Sequence, residues 1–230
     1  MEQHHSPQKI ADETRNFFQK VYAWMSFALL ISGATAFYVA SSEQMIRAIF
    51  GNPILFFGLI ILQLALVIGL VFLVKKISAS LATFMFIFYS FITGLTLSVI
   101  FLIYTLASIT QVFFITAGMF AGMSIYGFVT KRDLTGLGQM LIMALIGLII
   151  ASIVNIFWQN SMFDFILSVI GVLIFTGLTA YDTQKIKKNN IIGNDGTDED
   201  RKEAIMGALT LYLDFINLFL HLLRLLGKRR

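Results

Sequence analysis

The sequence contains no cysteine, so neither disulfide bonds nor thiolate metal sites are available to it. Charged residues make up 13% of the chain and hydrophobic residues 57%. That share of charge is about half of what a soluble domain normally carries. Three histidines, two of them near the amino terminus, are too few for a histidine metal centre. No basic cluster is interleaved with aromatic residues, so the net charge of +4 does not indicate nucleic-acid binding.

The hydrophobic residues form seven runs that are long enough to cross a bilayer as helices. The predicted spans are residues 21–40, 54–74, 81–107, 112–129, 138–157, 162–186 and 204–226. We therefore predict an all-α polytopic membrane protein with seven transmembrane helices. Residues 1–20 mix charges without an apolar core before a cleavage site, which predicts a cytoplasmic tail and not a signal peptide. A single transmembrane domain at 21–227 and a basic tail at 228–230 complete the predicted organisation.

The lysines and arginines of the loops predict the orientation. Twelve of them fall on the side of the amino terminus, whereas the other side has Arg47. The twelve are Lys9, Arg15, Lys20, Lys75, Lys76, Lys131, Arg132, Lys185, Lys187, Lys188, Arg201 and Lys202. This asymmetry places the amino terminus in the cytoplasm. Seven spans then put the basic carboxyl end outside, against the same rule, unless the last helix is re-entrant and returns to the cytoplasm.

A stripe of polar side chains runs along the last span. Asn217, His221 and Arg224 follow Asp214 at offsets of 3, 7 and 10, and Thr210 extends the line backwards. At about 100° per residue, Asp214 and the three residues after it lie within an arc of about 80°. An ionised side chain in mid-bilayer costs on the order of 2.5–3.5 kcal/mol. The stripe is therefore expected to face the other helices.

A second acid, Asp182, lies near the cytoplasmic end of the sixth span and shares a face with Thr179. The sixth and seventh spans are antiparallel neighbours joined by one loop, and Thr197 with Asp200 three residues later predicts the start of the seventh helix. Asp182 and Asp214 can then meet in a medium of low dielectric constant, where two carboxylates cannot easily both be ionised. A pair that shares one proton would be a pH sensor, or one corner of a cation site.

Other interpretations of these residues stay open. Asp182 can pair with Lys185 where the helix meets water, Asp214 can be a structural partner of Arg224 or His221, and His221 can be a hydrogen-bonding residue of the bundle.

Enzymatic chemistry finds little support. Ser124, preceded by Gly122, weakly resembles the site of an intramembrane serine protease, but the tight glycine turn after the serine is missing. Gly118 and Gly122 fit better as a packing seam of small residues. We therefore predict that the protein is not an enzyme.

Three segments carry a resemblance to a known family: TGLTLS at 93–98, FTGLTAYDTQKIK at 175–187 and ALTLYLDFINLFLHLLRLLG at 208–227. The chain resembles the transmembrane Bax inhibitor motif (Bax inhibitor-1-like) family, and most closely its bacterial inner-membrane branch. The resemblance implies six helices around a central seventh, and a pH-sensitive calcium leak in which the paired aspartates are Asp182 and Asp214. Some members add an arginine on the second span that latches the pair. Residues 54–74 contain none, so the latch is absent or replaced, for instance by Arg224.

We therefore expect a calcium leak gated by the proton-sharing pair Asp182 and Asp214, which would also contact calcium weakly and transiently. Thr179, Thr210, Asn217, His221 and Arg224 form the supporting polar stripe. The expected partners are the lipid bilayer, calcium ions and protons, with no nucleic acid and no cofactor. A non-conducting regulator that binds other membrane proteins, such as a membrane protease, is the alternative, and a proton-coupled carrier is a third. The expected location is the bacterial inner membrane, with the amino terminus in the cytoplasm.

Overall fold

The computed structural model describes residues 6–230, and this part of the chain folds into nine helices. They are α1 (Pro7–Ala40), α2 (Glu43–Phe50), α3 (Pro53–Leu73), α4 (Ala79–Leu97), α5 (Ile100–Ile103), α6 (Leu106–Val129), α7 (Thr135–Trp158), α8 (Ser161–Asn189) and α9 (Asp198–Leu226). Seven segments, with α4 and α5 counted as one, are long and apolar enough to cross a membrane. The predicted all-α polytopic membrane fold with seven spans is thus confirmed.

Several helices begin where a side chain caps the first turn, as the preference for Ser, Thr and Asn at this position predicts. Ser78 accepts a hydrogen bond from the N–H of Leu81 at the start of α4, and Thr105 does the same for Ser108 at the start of α6. At the predicted start of the last helix, the hydroxyl of Thr197 accepts from the N–H of Asp200. The expected cap of α9 is therefore present.

The structure differs from the predicted helices in three places. Helix α1 begins at Pro7 and not near residue 21, because Phe17 and Phe18 are buried and give the charged segment before the span an apolar face. The short helix α2 forms in the loop after the first span, with Glu43 and Arg47 paired one turn apart at 2.5 Å. The third span is interrupted after Leu97, where the Ser98 hydroxyl donates to the carbonyl of Leu95 at 2.7 Å.

The described chain groups into two compact units, which are treated separately. The first contains residues 6–102 and 189–212. Here α1 and α4 approach closely at Gly94, where a Cβ atom would lie 2.6 Å from the Cβ of Thr35. The hydroxyl of Ser32 on α1 contacts the carbonyl of Ser90 on α4 and the hydroxyl of Tyr212, each at 2.7 Å. Buried polar groups thus connect these helices.

The loop between α8 and α9 is held against the helices of the first unit. Lys20 on α1 binds the carboxylates of Asp195 and Asp200, at 2.5 Å and 2.7 Å. The N–H of Ala79, at the start of α4, donates to the carboxylate of Asp198. The loop is therefore fixed to the first residues of α4 and to the middle of α1.

The second unit contains residues 103–188 and 213–230. Helices α6 and α8 touch at Gly127, where an added Cβ would overlap the carbonyl oxygen of Ala180. The predicted small-residue seam at Gly118 and Gly122 is wrong, because both of these glycines face open space. The contact is instead made one or two turns further along α6.

The final residues pair with the linker between α5 and α6. The N–H of Thr105 donates to the carbonyl of Lys228, and the N–H of Arg230 donates to the carbonyl of Ile103.

Helix α9 itself runs without a break over 29 residues, about 43 Å at 1.5 Å per residue. It is also the most buried of the seven candidate spans among the described residues.

Candidate functional site

Asp182 and Asp214 lie together in the second unit. Asp182 lies on α8 and is half-buried, whereas Asp214 lies on α9 and is 5% exposed. Their carboxyl groups are close enough to act on each other. No amide or hydroxyl group among the described residues donates a hydrogen bond to Oδ2 of Asp214, which is buried. The two acids thus form a pair of carboxyl groups inside membrane-crossing helices.

The orientation of Asp182 follows from the packing of its neighbours along α8. Ala180 contacts Gly127 on α6, and the ring of Tyr181 fills the space beside Gly138 on α7. The hydroxyl of Thr183 lies 3.0 Å from the hydroxyl of Ser124 on α6. With the residues on both sides of it held in this way, α8 has little freedom to rotate at Asp182.

Aromatic packing fixes α9 next to Asp214. Phe215 lies 5.5 Å, between ring centroids, from both Phe113 and Phe120 of α6 in edge-on geometry. Phe113 also contacts Phe219 one turn further on. Edge-on aromatic pairs add about 0.5–1.5 kcal/mol each beyond the area that they bury. This cluster holds α9 in the register that puts Asp214 beside Asp182.

The members of the supporting polar stripe do not converge on the acid pair, and Arg224, which was expected to face the other helices, is exposed. The Thr179 hydroxyl donates to the carbonyl of Phe175, and the amide of Asn217 donates to the carbonyl of Leu213. Thr210, which belongs to the first unit, donates to the carbonyl of Met206. Each of these bonds is made to a carbonyl of the residue's own helix. The side chains of Thr179, Thr210 and Asn217 therefore donate within their helices and not to the acid pair.

His221 and Arg224 do not serve as partners of Asp214. The ring of His221 stacks on Phe175 with 5.7 Å between the centroids and fills the space beside Gly171. Its Nδ1 atom is buried without a hydrogen-bond partner. Arg224 is exposed, so the suggestion that it replaces a second-span arginine latch is wrong. Lys185, the alternative partner of Asp182, lies over the ring of Tyr181, and its charge also acts on Asp182.

Two polar groups of structural importance escaped the sequence reasoning. Tyr212, two residues before Asp214, is fully buried and bonds to Ser32 in the first unit. Gln184, two residues after Asp182, is 6% exposed and bonds to the loop between α6 and α7. Their one sequence signal is a polar group next to an intramembrane acid in segments that were already singled out.

A resident metal centre has no support among residues 6–230, which contain no group of three or more His, Asp or Glu side chains that could hold a metal ion. The acid pair alone offers at most four oxygens, fewer than the six to eight that calcium takes.

Comparison with known proteins agrees with this picture of the chain. Residues 14–230 match the family model described as inhibitor of apoptosis-promoting Bax1. The inner membrane protein YbhL of Escherichia coli K12 is 51% identical over 217 residues, which cover 94% of this chain and 93% of that protein. An uncharacterised protein of Borreliella burgdorferi is 51% identical over 215 residues, covering 93% and 92%. One of Rickettsia prowazekii is 45% identical over 229 residues, covering 98% and 95%.

The family match covers nearly the whole chain, including both helices that carry the acid pair. The names of these relatives state a membrane location or no function, and none of the three names an enzyme. The seven spans of the structure agree with the membrane location given for YbhL. The chain is a polytopic membrane protein that belongs to the Bax inhibitor-1 family.

Proposed function

We propose that the protein is a passive, pH-sensitive calcium leak in which Asp182 and Asp214 sense protons and contact the ion. The observation that supports the proposal is that the two carboxyl groups, one on α8 and one on α9, are close enough to act on each other. Acids inside membrane spans are costly and mark ion or proton pathways more often than structural contacts.

The chemistry of the pair links protons to the ion. With one proton, the two carboxyl groups share a hydrogen bond and hold α8 and α9 together. Without it, two negative charges face each other in a medium of low dielectric constant, where they repel one another and attract a cation. Proton loss therefore changes both the contact between the helices and the affinity for calcium. The pair titrates as a unit, so the response belongs to both residues together.

The small number of ligands suits passage better than storage. Calcium takes six to eight oxygens, of which the pair supplies at most four. The hydroxyl hydrogens of Thr179 and Thr183 are directed to carbonyls of their own helix. Water and backbone oxygens would complete the shell, which makes binding weak, and an ion that is to leave a pathway must be bound weakly.

Calcium flux into proteoliposomes that hold a calcium indicator tests the proposal. We expect the flux of the unmodified protein to change several-fold between about pH 6 and pH 8, where a coupled carboxyl pair exchanges its proton. Asp182→Asn and Asp214→Asn each remove one member of the pair and are expected to abolish the pH response. Asp12→Asn, which changes an exposed acid of α1, is the matched control and should behave like the unmodified protein.

A flux at the level of empty vesicles would contradict the leak and favour the non-conducting regulator, whose capture of a partner protein would survive both substitutions. An unchanged pH response in both asparagine variants would contradict the role of the pair even if calcium passes. By analogy with YbhL, we further propose that the protein lies in a bacterial inner membrane, with its amino terminus in the cytoplasm as the basic loops indicate.

A further inference from the structure

A basic cavity lies in the second unit, and its lining includes neither Asp182 nor Asp214. Its volume is about 320 Å³, and it is lined by the end of α6, the loop 130–134 and the last turns of α8. Four lining residues are cationic and one is acidic, which leaves a formal charge of +3. The cations are Lys131, Arg132, Lys187 and Lys188, and the acid is Asp133. Cavities of about 300–1,000 Å³ accommodate small ligands.

The loop that presents two of these cations is held rigidly. Gln184, which is 6% exposed, donates from its amide to the carbonyl of Arg132 at 2.7 Å and accepts from the N–H of Leu134 at 2.9 Å. The Asp133 carboxylate accepts from the N–H and the hydroxyl of Thr135, at 3.1 Å and 2.7 Å. The backbone is thus fixed from both sides, while the side chains of Lys131 and Arg132 are exposed.

The acid of the cavity is already neutralised by a neighbour. Lys188 binds the Asp133 carboxylate at 2.6 Å, and this contact, followed by the bonds from Thr135, lowers the pKa of Asp133 to about 2. Lys187 donates to the carbonyl of Phe128 at 2.7 Å, an uncharged partner. The positive charges of Lys131, Arg132 and Lys187 therefore exceed the negative charge available in the cavity, which favours an anion.

The cavity also lies where membrane-crossing helices end. Helix α6 ends at Val129, α7 begins at Thr135 and α8 ends at Asn189, and each of the three is a candidate span. Ends of spans lie at the level of the lipid headgroups. Basic pockets between transmembrane helices recognise anionic headgroups, and an arginine can bind two phosphate oxygens at once. We propose that this cavity binds the phosphate group of an anionic membrane lipid.

Native mass spectrometry of the full chain in detergent tests this site, with phosphatidylglycerol as the probe and phosphatidylcholine as its zwitterionic counterpart. We expect the unmodified protein to retain phosphatidylglycerol in preference to phosphatidylcholine. The double substitution Lys131→Gln with Arg132→Gln should weaken phosphatidylglycerol binding roughly 10- to 30-fold. Each basic residue near an anionic surface contributes about 1 kcal/mol, and 1.4 kcal/mol corresponds to tenfold.

The matched control is the double substitution Lys75→Gln with Lys76→Gln, which removes the same charge from an exposed pair at the end of the second span. It should leave binding unchanged. Thermal unfolding should be the same for both double variants, because Gln184 bonds to the backbone of the loop and not to the altered side chains. An equal loss of lipid in the control, or equal retention of the two lipids, would overturn the proposal. Displacement of phosphatidylglycerol by an equal concentration of inorganic phosphate would also overturn it, in favour of a soluble anion.

Discussion

Glycines on α6 differ in what surrounds them. An added Cβ on Gly127 would overlap the carbonyl oxygen of Ala180, which precedes Asp182 by two residues on α8. Neither partner in this contact is a flexible side chain, so a larger residue has to push the two helices apart. Gly118 and Gly122, further back on the same helix, have nothing within 4 Å of the position that a Cβ would take.

Gly127→Ala is therefore expected to destabilise the protein by about 1–3 kcal/mol, the usual cost of forcing one extra methyl group into a packed contact. Gly118→Ala is the control on the same helix. It should be neutral or stabilising by up to about 1 kcal/mol, because alanine is the better helix former. Unfolding in detergent measures both, and an equal effect of the two substitutions would contradict the assigned contact.

The acid pair was predictable from single residues, whereas its surroundings were not. Asp182 and Asp214 stand out because an acid in a long apolar run has few tolerable positions, and in the structure Asp214 is buried and Asp182 half-buried. That Asn217 bonds to its own helix and that His221 stacks on Phe175 depend on side-chain orientation in the packed bundle. Helical periodicity assigns a residue to a face but does not say which atom it meets there.

The loop between α6 and α7 depends on a side chain from another element. Gln184 on α8 occupies both the carbonyl of Arg132 and the N–H of Leu134, and Leu134 is buried. A buried amide or carbonyl group without a partner costs about 1–3 kcal/mol. The side chain of one helix thereby stabilises the turn between two others.

Gln184→Leu keeps the approximate volume but leaves both loop groups without their bonds. We expect it to destabilise the protein by about 1–3 kcal/mol in detergent unfolding, with faster amide exchange at Leu134. Gln139→Leu changes an exposed glutamine on α7 and should have little effect. Unaltered amide exchange at Leu134 in the Gln184 variant would contradict this role, because the loop would then be stable without the bonds from Gln184.

At the level of elements, apolar runs and cap residues located the helices well and missed what depends on packing. The predicted cap at Thr197 is present, and Ser78 and Thr105 cap α4 and α6 in the same way although they were not singled out in the sequence. The early start of α1 depends on the burial of Phe17 and Phe18, and periodicity in a charged segment does not reveal burial. The break after Leu97 lies in an uninterrupted apolar run, where composition carries no boundary signal.

For the whole molecule, the structure bears on the direction of the last span. Helix α9 is continuous, and the residues after it pair with the linker between the third and fourth spans through Thr105 and Ile103. A re-entrant helix would return to the side where it began, next to the loop after the sixth span. The pairing instead favours a full crossing, in which the basic end lies on the side of the third-to-fourth linker.

Because the chain has no cysteine, single cysteines can report this topology without further changes. With the amino terminus in the cytoplasm, we expect Gln44→Cys, and a cysteine added after Arg230, to react with a membrane-impermeant maleimide in intact cells. Glu199→Cys, exposed in the first turn of α9, should react after the membrane is permeabilised. Acidic residues contribute little to orientation, so its loss should not invert the protein. Labelling of the added cysteine together with Glu199→Cys, and not with Gln44→Cys, would place both ends of α9 on one side and contradict the crossing.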